Sequence, residues 1–431
     1  MSTAMPVMAV DLHALRYYGF AFSLFLTASL FGTVICGGWC DARGPVGPMR
    51  SGLVLFAVGV VVCGLAPTFT VLLAGRVLAG GGAGLLVVAI YVVIADVYPS
   101  ALQPRIFSLL SAGWVLPGLV GPVVAGWLAQ NVSWRAVFLL VAPLLGPPAL
   151  ALLPRLRDGD RSDRPAPDRK ANRMLSRALA GSALAAGVLA LQWGLSGVGR
   201  FSGVARACAL AVLVAGVVLV VTGFRPLVPA GTLRLGRGLP TVVLLRGLYS
   251  ASFFAVDAFL PLMLVTQRGL TVTEAGLALT AGTLGWTAGS LIQARPGLRL
   301  PRHLLLVTGA AILGVFQWAL VVAVRPPVPA WTAVPLWALC GLGMGLALTS
   351  TSVLTLRLSP TGREGSGSAA LQLSDALGGA LGIGLAGAAF AAWHRPGHDA
   401  GLFTGIWVAA GVLSLLAATL GFRARPVISR G

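Results

Sequence analysis

Residues Thr70–Ala95 read TVLLAGRVLAGGGAGLLVVAIYVVIA, a run in which Arg76 is the only charged side chain. A helix needs about 20 consecutive, mainly apolar residues to cross the hydrocarbon core of a bilayer, so this stretch predicts a membrane-spanning helix. Twelve further apolar runs, joined by mostly short loops, repeat the pattern. Thirteen such runs cannot be buried in one water-soluble core. The chain is therefore predicted to be an all-α polytopic membrane protein with about 13 transmembrane helices.

The predicted spans share a long apolar run bounded by polar residues, Gly or Pro. They are Tyr18–Gly38, Gly52–Leu65, Thr70–Ala95, Phe107–Leu128, Ala136–Leu153, Ala178–Leu195, Val204–Phe224, Thr241–Thr266, Glu274–Ile292, Leu304–Val324, Trp331–Leu356, Ser366–Trp393 and Leu402–Gly421. The second is short and is expected to extend into its flanks.

The composition agrees with this class, because 57% of the residues are hydrophobic and only 10% are charged. In a soluble protein the net charge of +19 would suggest a nucleic-acid partner. Here the loops on the side of Arg43 carry 22 Arg and Lys residues and the opposite loops carry 7. Cytoplasmic loops carry this excess, so no nucleic acid is expected. The C-terminus is predicted to be cytoplasmic, with Met1 outside, in a multi-pass protein of the cell (plasma) membrane.

The five cysteines lie in or beside apolar runs, and the four histidines lie near span ends or in loops. Neither set has the spacing of a disulfide framework or of a metal site. No metal is therefore predicted.

Ionised side chains inside a bilayer cost at least about 2.5–3.5 kcal/mol and are functional candidates by default. Arg246 and Asp257 fall on one helix face but about 16 Å apart along its axis. Asp375 lies in another span, with Gln372 one turn before it. A carboxylate that faces a cavity holds a proton more strongly when the cavity is dry, so Asp257 and Asp375 are candidates for proton coupling. The alternative for each is a structural pair with an arginine of a neighbouring helix. Pro261 is expected to break the helix near Asp257.

The loop Gly37–Gly44 reads GGWCDARG and follows the first predicted span. A second loop, Gly289–Gly297, also has an amide or carboxylate four residues after Gly and an Arg two residues further on, which suggests a faint internal repeat. Transporters are commonly built from repeats that rock around a central site. Asp41 is expected to cap a neighbouring helix while Arg43 anchors to a carboxylate or lipid phosphate, so that the loop holds a gate closed. The alternative is an ordinary positively charged loop.

The first loop resembles the signature Gly-x-x-x-Asp-Arg-x-Gly of the major facilitator superfamily at Gly37, Asp41 and Gly44. It departs at Ala42, where the family has Arg, although Arg43 is adjacent.

Three further stretches strengthen the resemblance, which covers almost the whole chain. Arg76–Gly80 resembles the family's fourth-span motif, with Ala79 in place of the usual Gln. Gly121–Gly126, read GPVVAG, resembles the fifth-span antiporter motif. Ser133–Phe138, read SWRAVF, is similar to the sixth-span entry of drug:proton antiporters.

The organisation resembles that of the fourteen-span drug:proton antiporters, which carry two extra spans between two six-helix bundles. The resemblance implies an N-terminal bundle of about five spans (residues 1–153), a cytoplasmic linker (154–177), two inserted spans with the following loop (178–238) and a C-terminal six-helix bundle (239–431). Against that template one span is expected to be missing at the front, because Ala4–Leu12 resembles the end of the branch's first span and the loop after it. An N-terminal truncation is therefore expected.

The resemblance also implies roles for two motifs. Arg76 matches the position of a proton-relay arginine, and the alternative is that its side chain reaches to the membrane interface. Gly121, Pro122 and Gly126 are expected to permit a bend or a tight contact with the opposite bundle, as in antiporters. The alternative is simple helix packing.

Phe253, Trp286 and Gln317 are predicted to line an apolar cavity suited to hydrophobic cations or neutral drugs. Together with the resemblance, they favour a secondary active transporter that exports small organic molecules in exchange for protons. It is expected to act as a monomer, with no cofactor and with the proton gradient as the driving force. The sequence contains no ATP-binding Gly-x-x-x-x-Gly-Lys-Ser/Thr motif.

Three other hypotheses stay open at this point. They are that the chain is a metabolite transporter on the same fold, that it is a membrane-embedded enzyme, and that it is an inactive truncated transporter.

Overall fold

The computed structural model describes residues 2–97, 102–152, 168–293, 300–360 and 364–425. Within these ranges the regular structure consists of α-helices and short 3-10 helices, with no β-strand among the described residues. The predicted all-α fold class is confirmed. The α-helices are α1 (Met5–Asp11), α2 (Tyr18–Arg43), α3 (Val46–Gly64), α4 (Phe69–Val97), α5 (Gln103–Asn131), α6 (Trp134–Leu139), α7 (Val141–Leu152), α8 (Asp168–Val198), α9 (Gly203–Phe224), α10 (Leu239–Thr266), α11 (Val272–Gln293), α12 (Arg302–Val324), α13 (Ala333–Leu358), α14 (Glu364–Trp393) and α15 (Ala400–Gly421).

All thirteen predicted spans coincide with helices, and α6 and α7 together form the fifth. In the described part of the chain, 10 helices are long and apolar enough to cross a membrane. They are α2 to α4, α8 to α10 and α12 to α15. The short second span extends into its N-terminal flank as expected, because α3 begins at Val46.

Three local details differ from the sequence-based expectation. α8 begins at Asp168, before the predicted start at Ala178, since the intervening segment is rich in strong helix formers; the preceding part of the predicted linker lies outside the described residues. The fifth span is interrupted at Leu140, because Pro143 lacks an N–H and its ring crowds the carbonyl of the preceding turn. Pro261 does not break α10. The proline removes one backbone hydrogen bond, and a membrane helix tolerates this loss where neighbouring helices pack around it.

The helices pack as two bundles with a hairpin beside them. α2 to α6 belong to the first bundle and α10 to α15 to the second. Within the first bundle α5 contacts α4 and α6, and it also packs against α11 of the second bundle. The hairpin of α8 and α9 touches both bundles, since α8 contacts α2 and α14. The N-terminal α1 and the 3-10 helix Ser2–Ala4 contact α10, and Met5 and Met8 are buried.

Consecutive spans run in opposite directions, so the molecule has two ends. We call the end where α2 begins and α5 finishes the Asp11 end. The opposite end, where α2 finishes and α10 begins, is the Arg43 end.

Candidate functional site

Two lines of close backbone contact join the bundles. Gly19 of α2 and Gly387 of α14 meet backbone to backbone, and a Cβ on either residue would overlap the other. Gly126 of α5 lies against α11, where a Cβ would be 2.8 Å from the carbonyl oxygen of Val272. Small residues allow membrane helices this close approach. Both contacts lie at the Asp11 end.

Side chains reinforce the closure at the Asp11 end. The hydroxyl of Tyr18 on α2 donates to the carbonyl oxygen of Ala258 on α10 at 2.7 Å, and its ring meets Phe259 edge-on at 5.3 Å between centroids. The hydroxyl of Thr273 on α11 donates to the side-chain oxygen of Gln130 on α5 at 2.8 Å. The two bundles are therefore held together by polar and apolar contacts at this end.

A cavity of about 260 Å³ lies between the bundles, on the Arg43 side of this closure. Gly118 and Gly121 of α5 form one wall, and Phe253 and Asp257 of α10 face them. Side chains of α11 and α13 complete the lining. The cavity thus has contributions from both bundles, as a site for alternating access requires.

Asp257 supplies the one carboxylate among the residues that line this cavity. It has no hydrogen-bond or ion-pair partner within the part of the chain that the structure describes. A carboxylate inside a bilayer is stabilised by a bound proton or by a positive charge close to it. A cationic ligand in the cavity would supply such a charge.

Aromatic rings form the wall beside Asp257. Phe253, one turn before it, stacks on Trp337 of α13 with centroids 4.7 Å apart and meets Trp286 of α11 edge-on at 5.3 Å. Gly282 makes room for the indole ring of Trp337, because an added Cβ would collide with that ring. Ring faces attract organic cations as well as flat apolar groups. Phe253 and Trp286 therefore lie at the cavity, and their contact with a substrate stays a prediction.

Gln317 does not line the cavity, contrary to the sequence-based expectation. Its side chain is fully buried, and its oxygen accepts hydrogen bonds from Ser252 at 2.8 Å and from Ser414 at 3.0 Å. Its amide donates to the Ser252 carbonyl at 3.2 Å. An amide inside the bilayer finds its partners on neighbouring helices. Gln317 therefore joins α12 to α10 and α15 inside the second bundle.

Arg246 and Asp375 form an ion pair between α10 and α14. The Arg246 Nε lies 2.8 Å from one carboxylate oxygen and an Nη lies 3.4 Å from the other. Ser250 donates to the same carboxylate, and Arg246 also donates to the Leu348 carbonyl and the Thr351 hydroxyl of α13, both at 3.2 Å. The structure thus brings Asp375 to an arginine of a neighbouring helix and not to the cavity of Asp257.

Gln372 lies half-buried on α14 and is not among the residues that line the central cavity. Arg76 is 6% exposed, and its Nε donates to the carbonyl of Ala21 at 2.7 Å while its guanidinium lies 4.3 Å from the ring centre of Phe25. This burial between α4 and α2 does not match a side chain that reaches to the interface. A role of Arg76 in proton coupling stays a prediction.

The first signature loop is largely helical, because α2 continues to Arg43. Gly44 follows with a φ of +78°, which glycine adopts without strain, and its N–H donates to the Cys40 carbonyl at 2.9 Å. Gly37 lies within α2, and Arg43 is exposed. The backbone of Asp41 is helical, and its side chain lies outside the described part of the structure.

The second loop motif is described as far as Gln293, and Arg295 lies outside the described residues. The amide of Gln293 donates to the Leu346 carbonyl, and its oxygen accepts from Arg302 at 2.8 Å and from Ser350 at 3.0 Å. An amide therefore ties α11 to α12 and α13 at the Arg43 end.

The fifth-span motif divides between the cavity and the contact of the bundles. A Cβ on Gly121 would meet no atom within 4 Å, because this residue faces the cavity. The carbonyl of Pro122 abuts Gly276 of α11, and Gly126 packs against Val272. One motif thus shapes the cavity wall and forms the adjoining contact at the Asp11 end.

The sequence did not predict some of the hydrogen-bond and ion-pair partners of these residues. Ser250 lies four residues after Arg246, which is one helix face, and this spacing is a signal that would have identified it. Asp11 accepts a hydrogen bond from the Trp134 indole at 2.8 Å and pairs with Arg135 at 3.2 Å. These two contacts lower the pKa of Asp11, and the hydrogen bond from Trp134 is the largest single cause. Nothing in the sequence pattern linked Asp11 to that distant motif.

Comparison with known proteins also indicates a membrane transporter. The model of the Major Facilitator Superfamily matches residues 1–248 and 242–430. The chain is similar to the Acurin A biosynthesis cluster MFS-type transporter of Aspergillus aculeatus, with 31% identity over 36% of this chain and 28% of that protein. It is also similar to the multidrug efflux pump SdrM of Staphylococcus aureus, with 26% identity over 33% of this chain and 32% of that protein. The matched part spans about a third or less of each of these relatives.

Among solved structures, the peptide transporter POT in complex with sulfate is similar to the chain. The TM-score is 0.68, the identity is 16%, and the match covers 98% of this chain and 91% of that one. An identity this low supports a common fold alone.

Proposed function

The chain belongs to the Major Facilitator Superfamily, and on that premise we propose that it is a proton-coupled exporter of small organic molecules. The named relatives are transporters, among them efflux pumps, and not enzymes. One observation carries the proposal. The carboxylate of Asp257 lines an aromatic cavity between the two bundles.

In this proposal Asp257 binds a proton and a cationic substrate in turn. Deprotonation breaks the carboxyl O–H bond, releases the proton and leaves a carboxylate that attracts the substrate's positive charge. When a proton returns and the O–H bond forms again, that attraction is lost and the substrate leaves. Since both ligands use the same oxygen atoms, proton entry drives substrate exit.

The proposed direction follows from the excess of arginine at the Arg43 end, which assigns that end to the cytoplasm. The contacts at the Asp11 end then close the outer side, and the cavity loads from the cell. Rocking of the bundles would separate Gly19 from Gly387 and Gly126 from Val272, which opens the outer side. We therefore also propose that the protein lies in the plasma membrane with its C-terminus in the cytoplasm. We propose further that it works as a monomer and that the proton gradient alone drives transport.

The cavity also favours one substrate class. Its volume of about 260 Å³ suits a compact molecule, the rings of Phe253, Trp286 and Trp337 suit a flat apolar body, and Asp257 suits a positive charge. We therefore expect apolar organic cations to be transported in preference to anions.

The test uses everted membrane vesicles from cells that express the chain, with an acidified interior and a fluorescent lipophilic cation outside. We expect accumulation of the dye that a protonophore abolishes. Asp257→Asn should reduce accumulation at least tenfold at equal protein level, because the residue no longer exchanges a proton. Thr222→Val, on the exposed face of α9, serves as the matched control and should transport normally.

Two results would contradict the proposal. One is dye accumulation that persists without a proton gradient. The other is unchanged, gradient-dependent accumulation in Asp257→Asn.

A further inference from the structure

A second cavity lies at the Arg43 end, between the start of α12 and the end of α13. Its volume is about 320 Å³, and it is lined by Pro301, Arg302, His303, Leu354, Arg357 and Leu358. We call it the basic cavity. It shares no lining residue with the central cavity of Asp257.

The positive charges of the basic cavity are not balanced by described acidic groups. Arg357 is exposed and makes no ion pair or hydrogen bond with the described residues. Arg302 donates one N–H to the Gln293 oxygen at 2.8 Å, which fixes the guanidinium and leaves its other donors available. The 3-10 helix Phe422–Ala424 packs against α12, and the charge of Arg425, the residue after it, acts on His303 of the cavity.

Two guanidiniums on different helices, with unused donors that border one cavity, match the oxygen atoms of a phosphate group. Arginine binds phosphate through paired N–H donors, and hydrogen bonds between charged groups are about twice as strong as neutral ones. A carboxylate substrate is not needed to explain the charge, because the cavity lies at the end of the helices and not between the bundles.

The apolar part of the basic cavity favours the phosphate of a lipid headgroup over a free phosphate ion. Leu354 and Leu358 line it together with the arginines. Leu356 and Leu300 beside it are 56% and 53% exposed. The cavity thus joins a charged site to apolar surface where two membrane helices end, which is the level of lipid headgroups. Basic pockets between membrane helices bind anionic lipid headgroups.

We propose that the basic cavity binds the phosphate headgroup of an anionic phospholipid. Arg357 and Arg302 hold the phosphate oxygens, and Leu354 and Leu358 contact the glycerol and the first acyl carbons. Bound lipid would join α12 to α13 at the end where Gln293 already connects them. This site is independent of the proton-coupling proposal, because it uses none of its residues.

Native mass spectrometry of the purified full chain, titrated with phosphatidylglycerol or with phosphatidylcholine, tests the proposal. We expect phosphatidylglycerol to bind with preference, and Arg357→Gln to weaken that binding about fivefold, the loss expected for one guanidinium near a lipid surface. Arg357→Gln should fold normally because its side chain makes no described internal contact. Arg225→Gln, an exposed cation at the same end, is the matched control and should bind as the wild type does.

Inorganic phosphate at millimolar concentration separates the two sources of phosphate. If it displaces phosphatidylglycerol completely, the site is one for a free anion, and the lipid assignment is wrong. Equal loss of lipid in Arg225→Gln and Arg357→Gln would also overturn the proposal, because the binding would then reflect surface charge alone. Failure of the two proposals can be told apart, because dye transport tests the role of Asp257 and lipid binding tests the basic cavity.

Discussion

The guanidinium of Arg246 and the carboxylate of Asp375 form a two-point ion pair within the second bundle, with a shortest distance of 2.8 Å. The side chain of Arg246 is 10% exposed and that of Asp375 is 26% exposed. Asp257, on the same helix as Arg246, has no such partner among the described residues. Asp257 and Asp375 therefore have different surroundings, and their substitutions should have different effects.

Asp375→Asn should lower stability more than it alters coupling. The substitution leaves Arg246 without its negative partner, and we expect a loss of about 2–3 kcal/mol, at the lower edge of values for buried pairs because Asp375 is partly exposed. The measurement is the thermal unfolding midpoint of the detergent-solubilised protein. The double variant Arg246→Met with Asp375→Leu should recover much of the loss, since it leaves no unpaired charge. A single variant as stable as the wild type would show that the pair does not stabilise the bundle.

Gly126→Val should weaken the contact between α5 and α11. A Cβ there would lie 2.8 Å from the Val272 carbonyl oxygen and 3.0 Å from the Thr273 Cα, and backbone atoms cannot yield as a flexible side chain does. We expect the Asp11 end to open more often, and dye accumulation to fall at least fivefold. The readout for opening is labelling of Thr283→Cys, a substitution of similar size at a residue that lines the central cavity, by a membrane-impermeant maleimide added on the side of the Asp11 end.

Gly121→Ala is the matched control for that substitution, because its Cβ meets no atom within 4 Å. Gly121→Ala should leave the labelling of the reporter cysteine unchanged. It should reduce the size of the largest dye that is transported, because its methyl group enters the cavity. Equal labelling in the two variants would contradict the assignment of Gly126 to the closing contact.

Ser23→Ala should destabilise the attachment of the inserted hairpin. The Ser23 hydroxyl of α2 donates to the side-chain oxygen of Gln192 on α8 at 2.7 Å, and both residues are buried. Removal of the hydroxyl leaves the Gln192 side-chain oxygen without this hydrogen-bond donor, at a cost of about 1–2 kcal/mol. Thermal unfolding measures this change. The double variant Ser23→Ala with Gln192→Leu should regain stability, because an apolar pair leaves no polar group unsatisfied; a double variant less stable than Ser23→Ala would refute this explanation.

The contribution of Asp11 to stability should depend on pH. The Trp134 hydrogen bond and Arg135 lower the pKa of Asp11 below its ordinary value of 3.8. A carboxyl with a lowered pKa in the folded state stabilises the fold above its unfolded-state pKa, and this contribution disappears as the pH falls through the folded-state value. The pair is exposed, so we expect less than about 1 kcal/mol. The unfolding midpoints of wild type and Asp11→Asn should differ at pH 7 and converge below pH 3.8, whereas a constant difference would assign the effect to shape and not to charge.

The helices were predictable because the thickness of the bilayer fixes the length of an apolar run. All thirteen spans follow from that one constraint, and the boundaries that differed, such as the start of α8 at Asp168, lie outside the apolar part of the helix. The bilayer says nothing about which polar groups meet. Arg246 and Asp375 lie 129 residues apart in sequence, so no spacing rule could pair them.

The same limit explains the outcome for Gln317 and for the aromatic residues. An amide in an apolar helix indicates a polar environment, but a cavity and a neighbouring serine satisfy it equally well. Ser252 and Ser414, on α10 and α15, provided the second solution. Phe253 and Trp286 reached the cavity because Gly282 permits Trp337 to pack beside them, a relation that only the three-dimensional packing contains.

The hydrogen bond from the Tyr18 hydroxyl to the Ala258 carbonyl has a practical consequence. Ala258 follows Asp257 directly, so the closure at the Asp11 end and the acidic site involve adjacent residues of α10. Separation of α2 from α10 strips that donor away and lets water reach the phenol, which shifts the ultraviolet absorption of this ring. We therefore expect the absorption of Tyr18, read against a Tyr18→Phe variant, to report the opening of the Asp11 end without any attached label.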